Sequence, residues 1–141
     1  MFTFIVIFGN SEGGQLIRMA LESLGPVSEE AGGRAVVKSV DGASGGWIAS
    51  QILSTVEDDY EEEEVEAFKH YFPNPRYALV EGRDGPATIF SSPFVLALST
   101  SHTFLIDNDH GMIADLQVVQ QLAQNGTNWL YMRKTPDKDS G

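Results

Sequence analysis

The chain has 141 residues, a net charge of −11 and no cysteine. Its length is near that of an average domain, and 42% of its residues are hydrophobic, so one packed core is expected rather than disorder. The absence of cysteine excludes disulfides, thiolate metal sites and cysteine nucleophiles.

The N-terminal third begins with a predicted buried strand over residues 2–8, which are apolar and rich in β-formers. Because no basic residue precedes this run and Gly9 interrupts it, it is not expected to be a signal peptide. A helix over residues 12–24 and a strand over 34–40 follow. No apolar run approaches the roughly 20 residues that cross a bilayer, which predicts a cytoplasmic protein that makes no membrane contact.

The middle of the chain is predicted to contain two helices. Over residues 47–56, Ile48 and Ile52 recur at helical spacing. Over residues 59–72, Val65 and Phe68 form an apolar face, and glutamates cover the other faces. The second helix is the more clearly amphipathic of the two.

The remaining segment changes to a period typical of short strands joined by tight turns. Four strands, one helix and a closing strand are predicted, over residues 77–81, 87–90, 94–98, 103–106, 112–124 and 128–133. The predicted fold class is α+β: a mostly antiparallel sheet with a β-α-β start, a four-strand meander and a final α-β, and with helices packed on it. Residues 1–134 are expected to form one domain, and residues 135–141 a frayed tail.

Acidic residues are concentrated in one short segment, in which eight of the 20 lie between Glu57 and Glu66. A surface of this sign repels nucleic acid and anionic lipid, and it accelerates association with a basic surface. Aromatic side chains beside the run can act as anchors. The candidate partner-binding residues are Glu57, Asp58, Asp59, Tyr60, Glu61, Glu62, Glu63, Glu64, Glu66 and Tyr71.

These features favour a small acidic binding protein that neutralises a basic protein partner. An immunity protein or antitoxin that covers a toxin, for example a nuclease, fits the size and charge. No cofactor and no metal are predicted, and homo-oligomers remain open. The competing interpretation is that the charge serves solubility alone.

An alternative is a small hydrolase or ligand-binding enzyme that uses Ser44 or the cluster Asp107, Asp109 and His110. Gly42-Ala43-Ser44-Gly45-Gly46 matches Gly-x-Ser-x-Gly between a strand and a predicted helix, the setting of a serine nucleophile. The serine would need a histidine base, from His70, His102 or His110, and a carboxylate such as Asp107 or Asp109. A glycine-rich turn is the simpler interpretation of this motif.

Two further stretches are rich in polar and turn-forming residues. Asp107-Asn108-Asp109-His110-Gly111 has potential metal ligands, but an EF-hand is excluded because Val118 stands where that loop needs a glutamate. Gly9 to Gly14 lies at a helix N-terminus, where amides can bind an anion, but it lacks the Gly-Lys-Ser/Thr of a phosphate loop. A tight turn and a helix cap are the expected roles of these stretches.

Overall fold

A computed structural model of the chain describes residues 1–9, 11–39, 45–54, 57–85 and 89–133. In these ranges the fold is α+β, with four α-helices on a seven-stranded antiparallel sheet. The strands are β1 (Phe2–Phe8), β2 (Ser28–Glu30), β3 (Arg34–Lys38), β4 (Trp47–Leu53), β5 (Arg76–Arg83), β6 (Leu105–Asp107) and β7 (Ile113–Asp115). The helices are α1 (Ser11–Glu22), α2 (Glu62–Tyr71), α3 (Ser91–Ala97) and α4 (Leu116–Gln124).

The N-terminal strand β1 lies inside the sheet, whose order is β2-β3-β4-β5-β1-β6-β7. Val6 of β1 is opposite Ala78 of β5 on one side and Ile106 of β6 on the other. Pairing on both edges and cover on both faces explain why this strand is apolar except at Thr3. The prediction of a buried strand over residues 2–8 is confirmed.

The two faces of the sheet are covered unequally. On one face α1, α3 and α4 pack against Phe4, Val6 and other residues of the larger apolar cluster. On the opposite face α2 is the one helix of the described ranges, and it packs over a smaller cluster of Ile7, Phe68, Phe72, Tyr77 and Leu105. Phe68 is 2% exposed, as predicted for a core residue, and burial of a side chain of this size contributes about 2–3 kcal/mol.

Several predicted elements are confirmed with shifted ends. The first helix occupies Ser11–Glu22, and the predicted strands over 34–40 and 77–81 correspond to β3 and β5. The acidic helix starts at Glu62, because Glu57–Asp59 forms a separate 3-10 turn before it. Lys69 and His70 lie in its last turn, where they complement the helix dipole.

The prediction of a helix over residues 47–56 is wrong, because Trp47–Leu53 is the strand β4. Residues four apart share a face in a strand as well as in a helix, so the spacing of Ile48 and Ile52 could not separate the two. Pairing with β3 on one edge and β5 on the other decides the outcome.

The predicted four-strand meander is wrong in two of its members, of which one, Phe94–Leu98, lies in and just after helix α3. The carboxylate of Asp84 accepts hydrogen bonds from the backbone N–H groups of Phe90 and Ser91, at 2.6 and 3.0 Å, and so satisfies donors at the start of this helix. Ile89 and Phe90 are not in a strand, and residues 87 and 88 lie outside the described residues.

The C-terminal elements differ from prediction in two places. The helix predicted from residue 112 begins at Leu116, because Ile113–Asp115 pairs with β6 as strand β7. The predicted closing strand over 128–133 is instead a 3-10 turn at Trp129–Tyr131. The carbonyl oxygen of Trp129 accepts a hydrogen bond from the side chain of Asn108 and not from a neighbouring strand. The predicted frayed tail, 135–141, lies outside the described residues.

Candidate functional site

The acidic run, defined here as residues 57–66 and also called the ridge, consists of the 3-10 turn, Tyr60, Glu61 and the start of α2, and most of its residues are exposed. Its carboxylates are exposed except for that of Glu64, which is half-buried, and Tyr60 is half-buried between them. The structure therefore exposes seven of the eight predicted carboxylates within ten consecutive residues. The exposed carboxylates are those of Glu57, Asp58, Asp59, Glu61, Glu62, Glu63 and Glu66.

Tyr60 attaches the acidic run to the sheet. Its hydroxyl donates a hydrogen bond to Oδ2 of Asp107, at 2.6 Å, and its ring meets that of Phe68 edge-on, with the centroids 4.9 Å apart. The ring of Tyr77 lies nearly parallel to that of Tyr60, at 6.0 Å. Both the hydroxyl and the ring of Tyr60 therefore hold the acidic run against the sheet.

The electrostatics around this anchor keep both phenols protonated. Burial, followed by the hydrogen bond to Asp107, holds the pKa of Tyr60 well above its usual range. Burial and the nearby charge of Glu57 raise the pKa of Tyr77 to about 12. Each hydroxyl is therefore a neutral donor to a carboxylate, with Tyr77 donating to Glu57 at 3.4 Å.

The start of α2 is held by its own glutamates. The backbone N–H of Glu61 donates to Oε1 of Glu64 at 3.0 Å, so the half-buried Glu64 carboxylate satisfies a group at the helix N-terminus. The three acids of the first turn, Glu62, Glu63 and Glu64, also complement the positive end of the helix dipole. Some of the negative charge therefore stabilises the helix that carries it.

None of the carboxylates of the acidic run takes part in an ion pair among the described residues. The ion pairs found there are formed by Arg18, Arg34 and His102 with acids elsewhere in the chain. Arg76 borders the same recess as Glu57 and Asp58, and Lys69 follows at the other end of α2. These two cations therefore lie near the two ends of the acidic segment.

A groove beside the ridge was not predicted from the sequence. It lies between α2 on one side and β7 and the start of α4 on the other, and has a volume of about 370 Å³. Tyr71, which was predicted as an anchor, is 55% exposed and lines it. The other lining residues are Glu64, Ala67, Phe68, Leu105, Ile113, Ala114, Asp115 and Val118. The helical spacing of Glu64, Ala67 and Tyr71 was a usable signal, whereas the opposite wall depends on tertiary contacts.

The stretch Asp107 to Gly111 is the turn of the hairpin between β6 and β7. Asp109 and Gly111 have positive φ angles, of 63° and 115°, as tight turns require. The side chain of buried Asn108 donates to the carbonyl oxygens of Trp129 and Met132 and accepts from the N–H groups of His110 and Met112. This stretch therefore has the turn-forming role expected of it, and it also fixes the C-terminal segment.

Two members of the alternative site, Asp107 and His110, have structural partners, whereas the carboxylate of exposed Asp109 forms no hydrogen bond or ion pair with them. The oxygens of Asp107 accept hydrogen bonds from Tyr60 and from the N–H of Asp109, and the ring of His110 meets that of Tyr131 edge-on at 5.0 Å. No cluster of three potential metal ligands occurs in the described part of the chain. Ser44 lies outside that part, so its catalytic role stays a prediction.

The glycine-rich stretch at the start of α1 has a packing role. A Cβ atom at Gly13 would lie 2.5 Å from the ring of Phe8, and one at Gly9 would lie 2.7 Å from that of Phe72. Nearby, Nε2 of His102 lies 2.9 Å from a carboxylate oxygen of Glu12, which places a negative charge at this helix N-terminus. Close packing is a sufficient reason for these two glycines.

Known proteins give no guide to the function of this chain, which is therefore inferred from its geometry. Each helix found in the described ranges falls short of the length and apolar character that a transmembrane span needs. No protein family, curated protein or solved structure matches the chain.

Proposed function

We propose that the chain is a small binding protein whose acidic run covers a basic surface of a protein partner and so neutralises it. The observation that carries this proposal is a row of exposed carboxylates without ion-pair partners among the described residues. Like charges this close repel one another and lower stability, and a cationic partner removes that cost.

The rigid mounting of the acidic run supports the same proposal. The contacts of Tyr60 with Asp107, Phe68 and Tyr77 fix the turn that precedes α2. A charged surface that is already ordered loses little conformational entropy when it binds, so more of its interaction energy appears as affinity.

A toxin is the kind of partner that suits this surface best, with the chain acting as its immunity protein or antitoxin. A nuclease toxin has a basic cleft that binds phosphates, and a ridge of carboxylates can occupy it. Net charge of the same sign over the whole chain steers such a partner from a distance. The chain itself needs no catalytic group for this role.

The experiment measures association kinetics with a purified candidate partner, a basic protein encoded beside this chain. The variant E62Q/E63Q/E66Q removes three exposed charges and keeps Glu61 and Glu64, which hold the helix start. It should slow association several-fold, because steering depends on the charge near the contact. Raising salt from about 0.01 M to about 1 M, which shortens the Debye length from roughly 30 Å to roughly 3 Å, should abolish the difference.

A matched control changes the net charge equally but elsewhere. The variant E22Q/E29Q/E30Q alters acids of α1 and β2 that form ion pairs with Arg18 and Arg34. It should affect association much less than the first variant. If both variants slow association equally, only the total charge matters. If neither variant slows association, the acidic run does not belong to the interface. If the partner is toxic, co-expression of the wild-type chain should restore growth.

A further inference from the structure

The groove between α2 and the β7–α4 segment has an apolar floor and acidic edges. Phe68 and Leu105 are buried at its base, while Ala67 and Tyr71 are exposed on its helical wall. Ile113 and Val118 are half-buried on the opposite wall. The groove therefore exposes apolar surface in a concave shape that an apolar side chain can fill.

Each long wall of the groove carries one carboxylate. Glu64 contributes from α2 and Asp115 from the junction of β7 and α4. Asp115 occupies the N-cap position of α4, yet its side chain makes no capping hydrogen bond. Its carboxylate is exposed and is not used to cap the helix beside it, so it is available to a cation.

We propose that this groove binds an amphipathic segment of the protein partner, in which an apolar side chain enters between Ala67 and Val118 and flanking lysine or arginine residues meet Glu64, Asp115 and the acidic run. This inference rests on the proposed function and names the part of the partner that docks. The acidic run supplies steering and the groove supplies the buried contact, with Tyr71 as the aromatic anchor.

Charge complementarity selects this occupant over others. A second copy of the chain carries a net charge of −11 and would be repelled at this surface. An anionic lipid surface is disfavoured for the same reason. A segment with both apolar and basic side chains matches the floor and the edges together, and a helix that lays its apolar face into a groove is a common mode of peptide recognition.

The test uses two synthetic peptides of equal length and charge and the isotope-labelled chain, observed by amide NMR. One peptide has leucines at helical spacing among lysines, and the other has serines in place of the leucines. The leucine peptide should bind at least about tenfold more tightly, and it should perturb Ala67, Ile113 and Val118. Tyr71→Ala and Ala67→Trp, which remove the anchor and fill the groove, should each weaken its binding about tenfold or more.

The matched control is Tyr131→Ala, since Tyr131 is 52% exposed, meets one aromatic ring and lies outside the groove lining. It should leave binding of the leucine peptide unchanged. Equal binding of both peptides, with perturbations confined to residues 57–66, would overturn the groove and leave the proposed function standing. Unchanged binding by Tyr71→Ala and Ala67→Trp would also overturn the groove. Failure of both peptides to bind at low salt would instead count against the acidic run.

Discussion

Tyr60 and Asp107 are joined by a hydrogen bond of 2.6 Å between the phenol and Oδ2, although 47 positions separate them in the chain. Asp107 is only 9% exposed, and its other oxygen accepts from the N–H of Asp109. The bond connects the start of the acidic run with the end of β6. The phenol of Tyr60 and the N–H of Asp109 therefore both donate to this buried carboxylate and offset the cost of its burial.

Replacement of Tyr60 by Phe should lower the free energy of unfolding by about 1.5–3 kcal/mol, because a hydrogen bond to a charged group is lost and the carboxylate stays buried. Urea denaturation measures the change. The control Tyr131→Phe alters an exposed tyrosine and should stay within about 0.5 kcal/mol of the wild type. A Tyr60→Phe protein as stable as the wild type would show that solvent replaces the phenol.

Stability should fall at high pH partly through Tyr77, whose pKa is raised to about 12 in the folded chain from 10.0. Because the folded state holds this proton more tightly, the contribution is complete below pH 10 and is lost as the pH rises from 10 to about 12. Thermal unfolding midpoints measured across this range should decline less steeply in Tyr77→Phe, which has no hydroxyl to titrate. Parallel declines would contradict the assignment.

Asn108→Ala should be among the most destabilising single substitutions in the chain, at about 3 kcal/mol or more. The side chain is 0% exposed and makes hydrogen bonds to four backbone groups, at distances of 2.7 to 3.0 Å. Its removal leaves those groups inside the protein without their partner. Urea denaturation checks this, with the exposed Asn125→Ala as control. Similar midpoints for the two variants would contradict the role assigned to Asn108.

Substitutions of Glu64 distinguish the contribution of its charge from that of its hydrogen bond at the start of α2. Glu64→Ala should destabilise the chain by about 0.5–1 kcal/mol, since the N–H of Glu61 loses its acceptor at the start of α2. Glu64→Gln keeps an acceptor oxygen and should cost less. Circular dichroism during thermal unfolding measures both. If Gln and Ala are equally destabilising, the charge itself rather than the hydrogen bond is what holds the helix start.

Sequence patterns predicted the elements whose periods are unambiguous. The continuous apolar run of β1 and the Val65-Phe68 spacing of α2 each fit one type of element, and both were predicted correctly. The segment with Ile48 and Ile52 fitted two types, and strand pairing decided between them. Helix α3 was missed because its N-terminal donors are satisfied by Asp84, a residue outside the helix and its flanking positions.

The candidate site likewise has features that the sequence predicts and features that depend on tertiary contacts. The concentration of carboxylates from Glu57 to Glu66 is visible in the sequence, and the structure exposes all of them except that of Glu64. The dependence of Tyr60 on Asp107 was not predictable, because it joins residues from distant parts of the chain. The groove was missed for the same reason, since Ala67 and Val118 line it together although they come from distant parts of the chain.

The position of β1 inside the sheet has a consequence for folding during synthesis. Strand Phe2–Phe8 is synthesised before both of its partners, residues 76–82 and residues 105–107. Its apolar side chains and backbone groups therefore stay unpaired until residues 76–82 and 105–107 have been synthesised. Such long-range pairing slows folding and leaves an apolar segment exposed in the nascent chain. An exposed segment of this kind is prone to aggregate, and chaperones bind such segments.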